Sequence, residues 1–355
     1  MSDAVLVTGA FGLVGTAAAR HLARLGRRVV ATDLGTAGNR SAATSLPPGV
    51  TAHWADLTDR AQVTALLNDV EPAAVIHLAA VIPPACYAAP ALARRVNVDA
   101  TANLLNSAAA QSYPPRFVLA SSIAVYGPRN PHRVVGVLTA ATPVRPYDVY
   151  GQHKVEAEEL VRASRLDWVI LRLGGVLSVD IRMDTDPDLI HFGAVLPTDG
   201  RLQTVDVRDV AHACAAATTA DVVGRTLLIG GDDTHRLLQG EVGAATAAAV
   251  GLVGALPLGR RGDPADDDAW FATDWMDSAT AQELLGHQHH PWPQMLAETA
   301  EKAGWRRYPL RLIAPLARQY LKRRSPYYRQ PGRYANPWEA VRQKWGAPEA
   351  DRRTP

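Results

Sequence analysis

Cysteine is scarce in this chain of 355 residues. Cys86 and Cys214 are its two cysteines, and they lie far apart in the sequence. Such a pair supplies neither a disulfide framework nor the closely spaced ligands of a zinc site, so a disulfide-stabilised secreted fold is excluded. We therefore expect a protein of a reducing compartment.

Long apolar runs that could cross a membrane are also lacking. A long run without charge, Val242 to Gly259, consists mostly of Ala and Gly and contains Pro257. This composition favours a buried helix over a membrane span. The start of the chain, Met1-Ser2-Asp3, has no signal-peptide pattern, and we expect a cytoplasmic protein.

Basic residues are concentrated near the C-terminus. Residues 301–355 hold 14 Lys/Arg and 4 Asp/Glu, which leaves 23 Lys/Arg and 31 Asp/Glu for residues 1–300. The net charge is thus +10 for the tail and −8 for the rest. The tail is a separate compositional unit.

A short apolar run opens the regular structure. Ala4 to Thr8 predicts a buried parallel strand, and a helix from about Leu13 to Leu25 follows it. Between them, Gly9, Gly12 and Gly15 are three residues apart, which lets backbone amides approach a pyrophosphate at the positive end of the helix. The pattern predicts a dinucleotide site.

An acidic residue ends the next predicted strand. Asp33 follows the run Arg28 to Thr32 and lies 18 residues beyond Gly15. Its carboxylate suits a ribose 2′-hydroxyl and repels a 2′-phosphate, so NAD is favoured over NADP. Arg40 would offset that preference if its loop folds inward, although an exposed loop arginine is the simpler interpretation.

Two further strands are expected in the first half of the chain. The third, Val50 to Trp54, leads to Asp56 and Leu57, where an adenine ring needs an edge contact. The fourth, Ala74 to Val81, is almost entirely apolar. We interpret its His77 as a hydrogen-bonded core histidine rather than a catalyst.

The segment after the fourth strand lies at the carboxyl edge of the sheet, where ligands bind in such folds. Ile82 to Tyr87 carries no charge and suits an apolar part of a substrate. Asn97 follows on a helix face otherwise built from apolar residues. It is either a buried structural amide or an active-site one.

Tyr150 and Lys154 are four residues apart in a predicted helix, so both side chains reach the same reacting atom. This spacing alone is more often a solvated pair, but here it follows a predicted dinucleotide site. A lysine ammonium at ~5 Å favours the phenolate by about 3 kcal/mol at an effective dielectric of 20. We therefore expect a lowered pKa for Tyr150 and proton exchange near neutral pH.

By these residues the chain resembles the extended short-chain dehydrogenases/reductases, a group that includes nucleotide-sugar epimerases and hydroxysteroid dehydrogenases. The resemblance covers about residues 4–300. The matching pieces, in the family's order, are Thr8 to Gly15, Asp33, Asp56-Leu57, His77 to Ala80, Asn97, Ser121-Ser122, Val125 to Gly127, Tyr150 and Lys154.

The fold expected is α/β, a doubly wound parallel (Rossmann) sheet with a smaller C-terminal substrate lobe and a basic C-terminal extension. We expect residues 1–175 to form the dinucleotide-binding core with the catalytic residues. Residues 176–304 should form the substrate lobe, interleaved with returning core elements, and residues 305–355 a basic amphipathic tail.

The resemblance implies a role for each catalytic position. Ser122 would orient the substrate oxygen and Tyr150 would exchange its proton. Lys154 would hold the nicotinamide ribose and lower the tyrosine pKa, with Asn97 behind them in a proton relay. The expected NAD-binding residues are Gly9, Phe11, Gly12, Leu13, Gly15, Asp33, Asp56, Leu57, Leu78, Ala79, Ala80, Tyr150 and Lys154. The expected substrate-binding residues are Pro83, Cys86, Ser122, Ile123, Tyr150, Gly174 and His191.

Departures from the family pattern limit the substrate. Ile123 and Ala124 stand where water-eliminating members carry acidic residues, so a sugar dehydratase is not expected. Nucleotide-sugar epimerases usually have a diphosphate-binding Asn soon after Arg172, whereas this chain reads Leu173-Gly174-Gly175. An epimerase stays possible if its diphosphate contacts come from elsewhere.

No metal site is expected from the histidines. His287, His289 and His290 are close in sequence, but no cysteine or carboxylate ligand is suitably near them along the chain.

The tail predicts short helices separated by Pro309 and Pro315, with apolar and basic residues on different faces. Two interpretations stay open for it: packing on the acidic body or on a partner subunit, or contact with an anionic membrane surface. Nucleic acid is not expected, because basic residues alone supply no base-reading element.

The sequence therefore predicts an NAD-dependent oxidoreductase that performs reversible hydride transfer at a secondary alcohol or ketone of a small molecule. We expect a homodimer. A nucleotide-sugar epimerase with retained NAD is the first alternative, and a non-catalytic NAD-binding sensor is the second.

Overall fold

The computed structural model of the chain describes residues 3–180, 186–256 and 259–348. The strands are β1 (Val5–Thr8), β2 (Val29–Asp33), β3 (Val50–Trp54), β4 (Ala74–His77), β5 (Arg116–Ser122), β6 (Trp168–Leu173), β7 (Gly175–Leu177), β8 (Arg201–Asp206), β9 (Arg225–Ile229) and β10 (Arg236–Leu238). Strand β4 is shorter than expected, because the chain turns away after His77.

The helices of the described residues alternate with these strands. They are α1 (Leu13–Arg24), α2 (Ala37–Ala43), α3 (Arg60–Val70), α4 (Ala85–Ala88), α5 (Pro90–Arg94), α6 (Ala100–Ala109), α7 (Val149–Ala163), α8 (Pro187–Val195), α9 (Val207–Ala217), α10 (Gln239–Ala249), α11 (Ala279–Leu285), α12 (Trp292–Ala303), α13 (Arg307–Arg324) and α14 (Pro337–Trp345).

Seven strands form a parallel sheet in the order β3-β2-β1-β4-β5-β6-β9. The register places Val5 of β1 between Val29 of β2 and Ala74 of β4. Strand order reverses between β1 and β4, and ligands of such sheets bind at the carboxyl edge beside that point. The predicted doubly wound parallel sheet is confirmed.

Each face of the sheet is covered by helices, which explains why its strands are apolar on both sides. Successive residues of one strand point to opposite faces. Val5 and Val7 pack with Leu22 of α1 and Val210 of α9 in one core cluster. Leu6 and its neighbours pack on the other face against α3, α6 and α7.

A second sheet lies beside the first, in the order β10-β8-β7. A helix was expected in the apolar run Val242 to Gly259. Helix α10 covers only the first part of that run, because it ends at Ala249. Pro257 and Leu258, at the end of that run, lie outside the described residues.

The first part of the tail forms one long helix where short helices separated by Pro309 and Pro315 were expected. Helix α13 continues through Pro315 from Arg307 to Arg324. A single internal proline removes one backbone hydrogen bond, and the flanking turns retain theirs. Of the helices described, none is both long and apolar enough to cross a membrane.

Candidate active site

A glycine loop joins β1 to α1 at the carboxyl edge of the large sheet. Gly9 has a φ of +61°, and a Cβ there would lie 2.7 Å from the Cα of Ala79. At Gly15 a Cβ would lie 2.1 Å from the carbonyl oxygen of Gly9. Both glycines are therefore required by the close approach of neighbouring backbone.

Gly12 differs from the other two glycines of the loop. It is exposed, and the nearest atom that a Cβ would meet is the Gly9 carbonyl oxygen at 3.3 Å. It is the N-cap of α1, where no side chain accepts a hydrogen bond from the first turn and no acidic residue is present. The first-turn amides are thus open to an anion, which fits a pyrophosphate.

Asp33, at the end of β2, forms a hydrogen bond with the glycine loop. Its Oδ2 accepts a hydrogen bond from the amide of Phe11 (3.3 Å) and its Oδ1 accepts one from the amide of Leu34 (2.8 Å). The carboxylate therefore lies beside the glycine loop, where the acidic residue of an NAD site meets the adenosine ribose.

A stack of planar groups, not expected from the sequence, flanks Asp33. The rings of Phe11 and Trp54 lie 5.3 Å apart, and the guanidinium of Arg40 lies 5.1 Å from the Trp54 ring centre. Arg40 belongs to α2 and donates from Nε to the carbonyl of Gly35 (3.0 Å). It is exposed, as expected, but it folds back towards Trp54 instead of extending from a loop.

The other predicted cofactor positions lie at the ends of β3 and β4. Asp56 accepts hydrogen bonds from the amide and hydroxyl of Thr58 at 2.9 and 2.8 Å, and Leu57 is buried in the core. The amides of Leu78 and Ala79 donate to the hydroxyl of Thr8. These contacts hold residues 78–80 against Gly9 and explain the early end of β4.

His77 is a core histidine, as predicted. Its Nδ1 lies 2.7 Å from the hydroxyl of Thr8, and its Nε2 lies 3.0 Å from the hydroxyl of Thr101. Burial lowers the pKa of His77 to about 3. The ring is therefore neutral and satisfied by two hydroxyl groups.

Tyr150, Ser122 and Lys154 come together at the start of α7. The Lys154 ammonium lies 5.7 Å from the centre of the Tyr150 ring and donates to the carbonyl of Ala120 (2.8 Å). Ser122 lies near enough to the Tyr150 side chain to lower the pKa of the tyrosine, and it accepts a hydrogen bond from the amide of Ala124 (3.1 Å). Three of the four residues predicted to be catalytic thus share one site.

The expected lowering of the tyrosine pKa is wrong for this arrangement. Burial raises the pKa of Tyr150 well above its usual value, Cys86 and Asp148 raise it further, and the Ser122 hydrogen bond offsets a part. Burial also lowers the pKa of Lys154 to about 8. Burial is the largest of these effects on the Tyr150 pKa, so Tyr150 carries its proton at neutral pH.

Asn97 occupies a π-helical turn, Arg95–Asp99, and is buried. Its Oδ1 accepts from the amide of Val81 (2.7 Å) and its Nδ2 donates to the carbonyl of Val81 (2.9 Å). Both side-chain amide atoms therefore fix the loop after β4, which is the structural alternative left open above.

Helix α7 is capped by a residue that sequence reasoning did not single out. Asp148 accepts a hydrogen bond from the amide of Gly151 (2.9 Å) through Oδ1, and one from the hydroxyl of Tyr87 (2.5 Å) through Oδ2. An Asp three residues before Gly151 is an N-cap signal that the sequence contains. The cap sets the first turn that carries Tyr150.

A buried ion pair holds the same helix to the sheet. Glu158 accepts hydrogen bonds from Arg172 at 2.8 and 2.6 Å and from the hydroxyl of Ser121 at 2.6 Å. Burial alone would raise the pKa of Glu158, but the contacts with Arg172 hold it below its usual value. Glu158 is one helical turn beyond Lys154, so the pair orients the face of α7 that carries both catalytic residues.

An apolar aromatic cluster surrounds Tyr150. Its members come from α4, α8, α14 and the intervening loops: Tyr87, Tyr147, Phe192, Phe271, Trp338 and Trp345. Trp338 lies 4.8 Å from Tyr147 and 5.3 Å from Phe271, and its Nε1 donates to the carbonyl of Trp270 (3.0 Å). The tail therefore contributes to the surroundings of Tyr150, which its basic composition did not indicate.

The predicted substrate residues divide between this cluster and other places. Cys86 is fully buried within the cluster, and His191 lies 5.5 Å from Trp345 at its edge. Pro83 lies in the loop before α4. Ile123 is buried in a separate core cluster with Met276, and a Cβ on Gly174 would lie 2.5 Å from the carbonyl oxygen of Gln203. For these last two residues the structure shows a packing role.

One of the histidines near α12 contacts a carboxylate from a distant part of the sequence, which the residues around it did not indicate. The Nδ1 of His290 lies 2.5 Å from Oδ1 of Asp209 in α9, and His287 lies 3.1 Å through Nε2 from the carbonyl of Gly230. Within residues 3–180, 186–256 and 259–348, no three His, Cys, Asp or Glu side chains group as a metal site would require.

Residues 5–230 match the model of the NAD dependent epimerase/dehydratase family. The chain belongs to this family. Membership confirms the prediction of an NAD-dependent enzyme of the extended short-chain dehydrogenase type.

Three known proteins are similar to this chain. The chain is 32% identical over 261 residues to a dTDP-glucose 4,6-dehydratase of Neisseria gonorrhoeae, covering 66% of this chain and 75% of that protein. It is 35% identical over 122 residues to a D-erythronate dehydrogenase of Cupriavidus necator, covering 33% and 36%. The UDP-glucose 4-epimerase of Thermus thermophilus, solved with NAD, superposes with a TM-score of 0.67 at 23% identity, covering 84% and 98%.

Proposed function

We propose that this protein transfers hydride reversibly between NAD and a secondary alcohol or ketone on a small, largely apolar substrate. The observation that carries the proposal is the joint placement of Ser122, Tyr150 and Lys154. They meet at the carboxyl edge of the sheet, beside a glycine loop whose amides are open to a pyrophosphate.

The residues present fit NAD. Gly9 and Gly15 let the loop pack closely on neighbouring backbone, Gly12 leaves the first-turn amides of α1 open to a pyrophosphate, and Asp33 lies where a ribose hydroxyl would bind. Lys154 would hold the nicotinamide ribose. When bound, NAD accepts or returns the hydride at the carbinol carbon.

Tyr150 is proposed to exchange the proton at the substrate oxygen. Because its pKa is raised, the phenol is protonated at neutral pH and can donate to a carbonyl oxygen that is being reduced. Ser122 would orient that oxygen by a hydrogen bond. In the oxidation direction Tyr150 must first lose its proton, so alkaline pH should favour oxidation.

The surroundings of Tyr150 support an apolar substrate. The aromatic cluster that packs against Tyr150 makes its environment largely apolar. Ile123 and Ala124 are buried and apolar at the positions where dehydratases of the family carry acids. We therefore do not propose elimination of water, although one relative is named as a dehydratase.

Nucleotide-sugar epimerisation is the alternative, since the family includes epimerases and the same three residues would serve it. An epimerase returns the hydride within one active site and keeps its cofactor. The non-catalytic sensor is a weaker alternative, because binding alone does not require Ser122, Tyr150 and Lys154 together.

The test follows both cofactor and substrate. Purified protein is denatured and assayed for released NAD, and native protein is then assayed by nicotinamide absorbance with alcohols, ketones and nucleotide sugars. Net absorbance change with exchangeable cofactor is expected. Stoichiometric NAD that survives dialysis, with a nucleotide sugar isomerised and no net NADH, would establish the epimerase instead.

Tyr150→Phe serves as the matched variant in this assay. Loss of general acid–base catalysis should lower turnover roughly 10² to 10⁴-fold. Tyr113→Phe is the control, because Tyr113 is 70% exposed and remote from the cluster around Tyr150. Turnover by Tyr150→Phe within a factor of ~3 of wild type would refute the assignment.

The proposed setting is the cytoplasm, with the enzyme as a homodimer and without a nucleic-acid partner. Residues 1–300 carry a net charge of −8, which disfavours contact between the catalytic body and a phosphate backbone. Molecular mass in solution tests the dimer.

A further inference from the structure

Helix α13 and the turn before it present a row of large apolar side chains to solvent. Trp305 is 74% exposed, Leu312 82% and Leu316 74%. Except for the adjacent pair Leu312 and Ile313, neighbouring members of the row are three or four residues apart, so they share one broad face of the helix. We name this the outer face; it consists of Trp305, Tyr308, Leu312, Ile313, Leu316 and Tyr320.

The opposite side of α13 packs on the body. Ala314 is buried, and Leu310, Ala317 and Leu321 are half-buried. These residues lie on the side of the helix turned away from Leu312 and Leu316. The helix therefore already uses one apolar strip for the fold, and the outer face is a second strip that the fold leaves open.

Contacts at both ends fix this orientation. A Cβ on Gly251 would lie 2.2 Å from the carbonyl oxygen of Arg307, so the first turn is pressed against the turn after α10. Beyond the last turn, the Tyr327 hydroxyl donates to the carbonyl of Val195 (2.7 Å) and Arg260 donates to the carbonyl of Gln330 (2.7 Å). Held at both ends, α13 cannot turn its outer face inward without breaking these contacts.

Positive charge borders the outer face. Helix α13 contains six Lys/Arg and no Asp/Glu. At 100° per residue, Arg311, Arg318 and Lys322 lie along one border and Arg324 along the other. Among the described residues, none of these four cations forms an ion pair with a carboxylate, so their charge is available to an outside partner.

We propose that the outer face of α13 binds the surface of an anionic lipid bilayer. Apolar side chains would enter the acyl boundary while the bordering cations meet lipid phosphates and carboxylates. Trp305, Tyr308 and Tyr320 suit the headgroup level, where aromatic rings with a polar edge concentrate. A second copy of the chain is a poorer occupant, because two such faces would bring like charges together.

Vesicle binding by the full-length protein tests this proposal independently of any catalytic activity. The protein is sedimented with vesicles of phosphatidylcholine alone or of phosphatidylcholine mixed with phosphatidylserine. Binding to the mixed vesicles, weakened by added salt, is expected.

The matched variants are Leu312→Glu combined with Leu316→Glu, and Val135→Glu as a control. Val135 is 97% exposed, so its side chain is as accessible to solvent as those of the two leucines. It lies outside the tail. The double variant should lose at least about tenfold in vesicle affinity, since each leucine buries apolar area on binding. The control should bind as wild type, and the melting temperatures of all three proteins should agree.

Two outcomes would overturn the proposal. One is that wild-type protein sediments no more with the mixed vesicles than with phosphatidylcholine alone. The other is that the double variant binds vesicles as tightly as wild type but has half the wild-type molecular mass in solution. That result would assign the outer face to a second copy of the chain.

Discussion

Lys154 shows how burial sets the chemistry of a single residue in this site. Its ammonium is almost fully buried and donates to the carbonyl of Ala120. Burial lowers its pKa from 10.5 to about 8, and the charge of Glu158 offsets a part. The folded protein therefore releases this proton more easily than the unfolded chain does, so charging Lys154 opposes folding.

The sign of this shift predicts a pH dependence of stability. Between pH 8 and pH 10 the unfolded chain holds a proton on Lys154 that the folded protein has lost. The free energy of unfolding should then rise with pH by up to about 1.4 kcal/mol per unit from this group alone. Below pH 8 the lysine is charged in both states, and its contribution is constant.

Comparison with Lys154→Met isolates the effect. Relative to that variant, wild-type protein should gain about 2 kcal/mol in free energy of unfolding between pH 8 and pH 10. Urea unfolding at several pH values measures it, with Lys322→Met on the exposed surface of α13 as control. Parallel pH profiles for wild type and Lys154→Met would show that the ammonium is not desolvated.

At the scale of elements, the catalytic helix α7 depends on an ion pair beneath it. The carboxylate of Glu158 meets the buried guanidinium of Arg172 and the half-exposed guanidinium of Arg162. A buried charge that loses its partner is costly, whereas a pair at the surface contributes little. Glu158 therefore forms one buried ion pair and one ion pair near the surface, and the two can be compared in the same protein.

Arg172→Met should lower the free energy of unfolding by about 3–5 kcal/mol, because it leaves Glu158 buried and unpaired. Arg162→Met should cost less than about 1 kcal/mol. Combining Arg172→Met with Glu158→Leu should recover most of the loss, since no buried charge is left. Urea denaturation of wild type, these variants and Glu158→Leu alone decides this, and a loss in the double variant equal to the sum of its two single losses would contradict it.

Local pattern predicted much of the fold and part of the site. The run before Gly9, the glycine spacing and Asp33 belong to one strand–helix–strand unit at the start of the chain. The spacing within that unit predicts that Asp33 meets the glycine loop, as its hydrogen bond with Phe11 shows. Strand β4 was overestimated because its end depends on the hydroxyl of Thr8, which comes from another strand. The tyrosine pKa was predicted in the wrong direction because the spacing of Tyr150 and Lys154 contains no information about burial.

At the scale of the whole molecule, the tail returns to the catalytic helix. The amide of Val149 donates to the carbonyl of Pro348 (2.8 Å), and Lys344 pairs with Asp188 of α8 (2.8 Å). Trp338 and Val341 of α14 are buried in the cluster that contains Cys86 and Tyr87. Sequence composition described the tail as one basic unit, but its two halves differ: α13 exposes an apolar face and α14 buries one.

Two tryptophans of the tail, one buried and one exposed, test this difference between its two halves. Trp338→Ala should lower the free energy of unfolding by about 3–5 kcal/mol, because it leaves a cavity among Tyr147, Phe271 and Trp270. Trp305→Ala removes the same side chain from a position that is 74% exposed and should cost less than about 0.5 kcal/mol. NAD affinity should be unchanged in Trp305→Ala, since Trp305 lies outside both the glycine loop and the cluster around Tyr150. Urea denaturation and NAD titration measure these quantities. An equal loss of stability from the two substitutions would mean that Trp305 is packed in solution. The outer face of α13 would then not be open to any other partner.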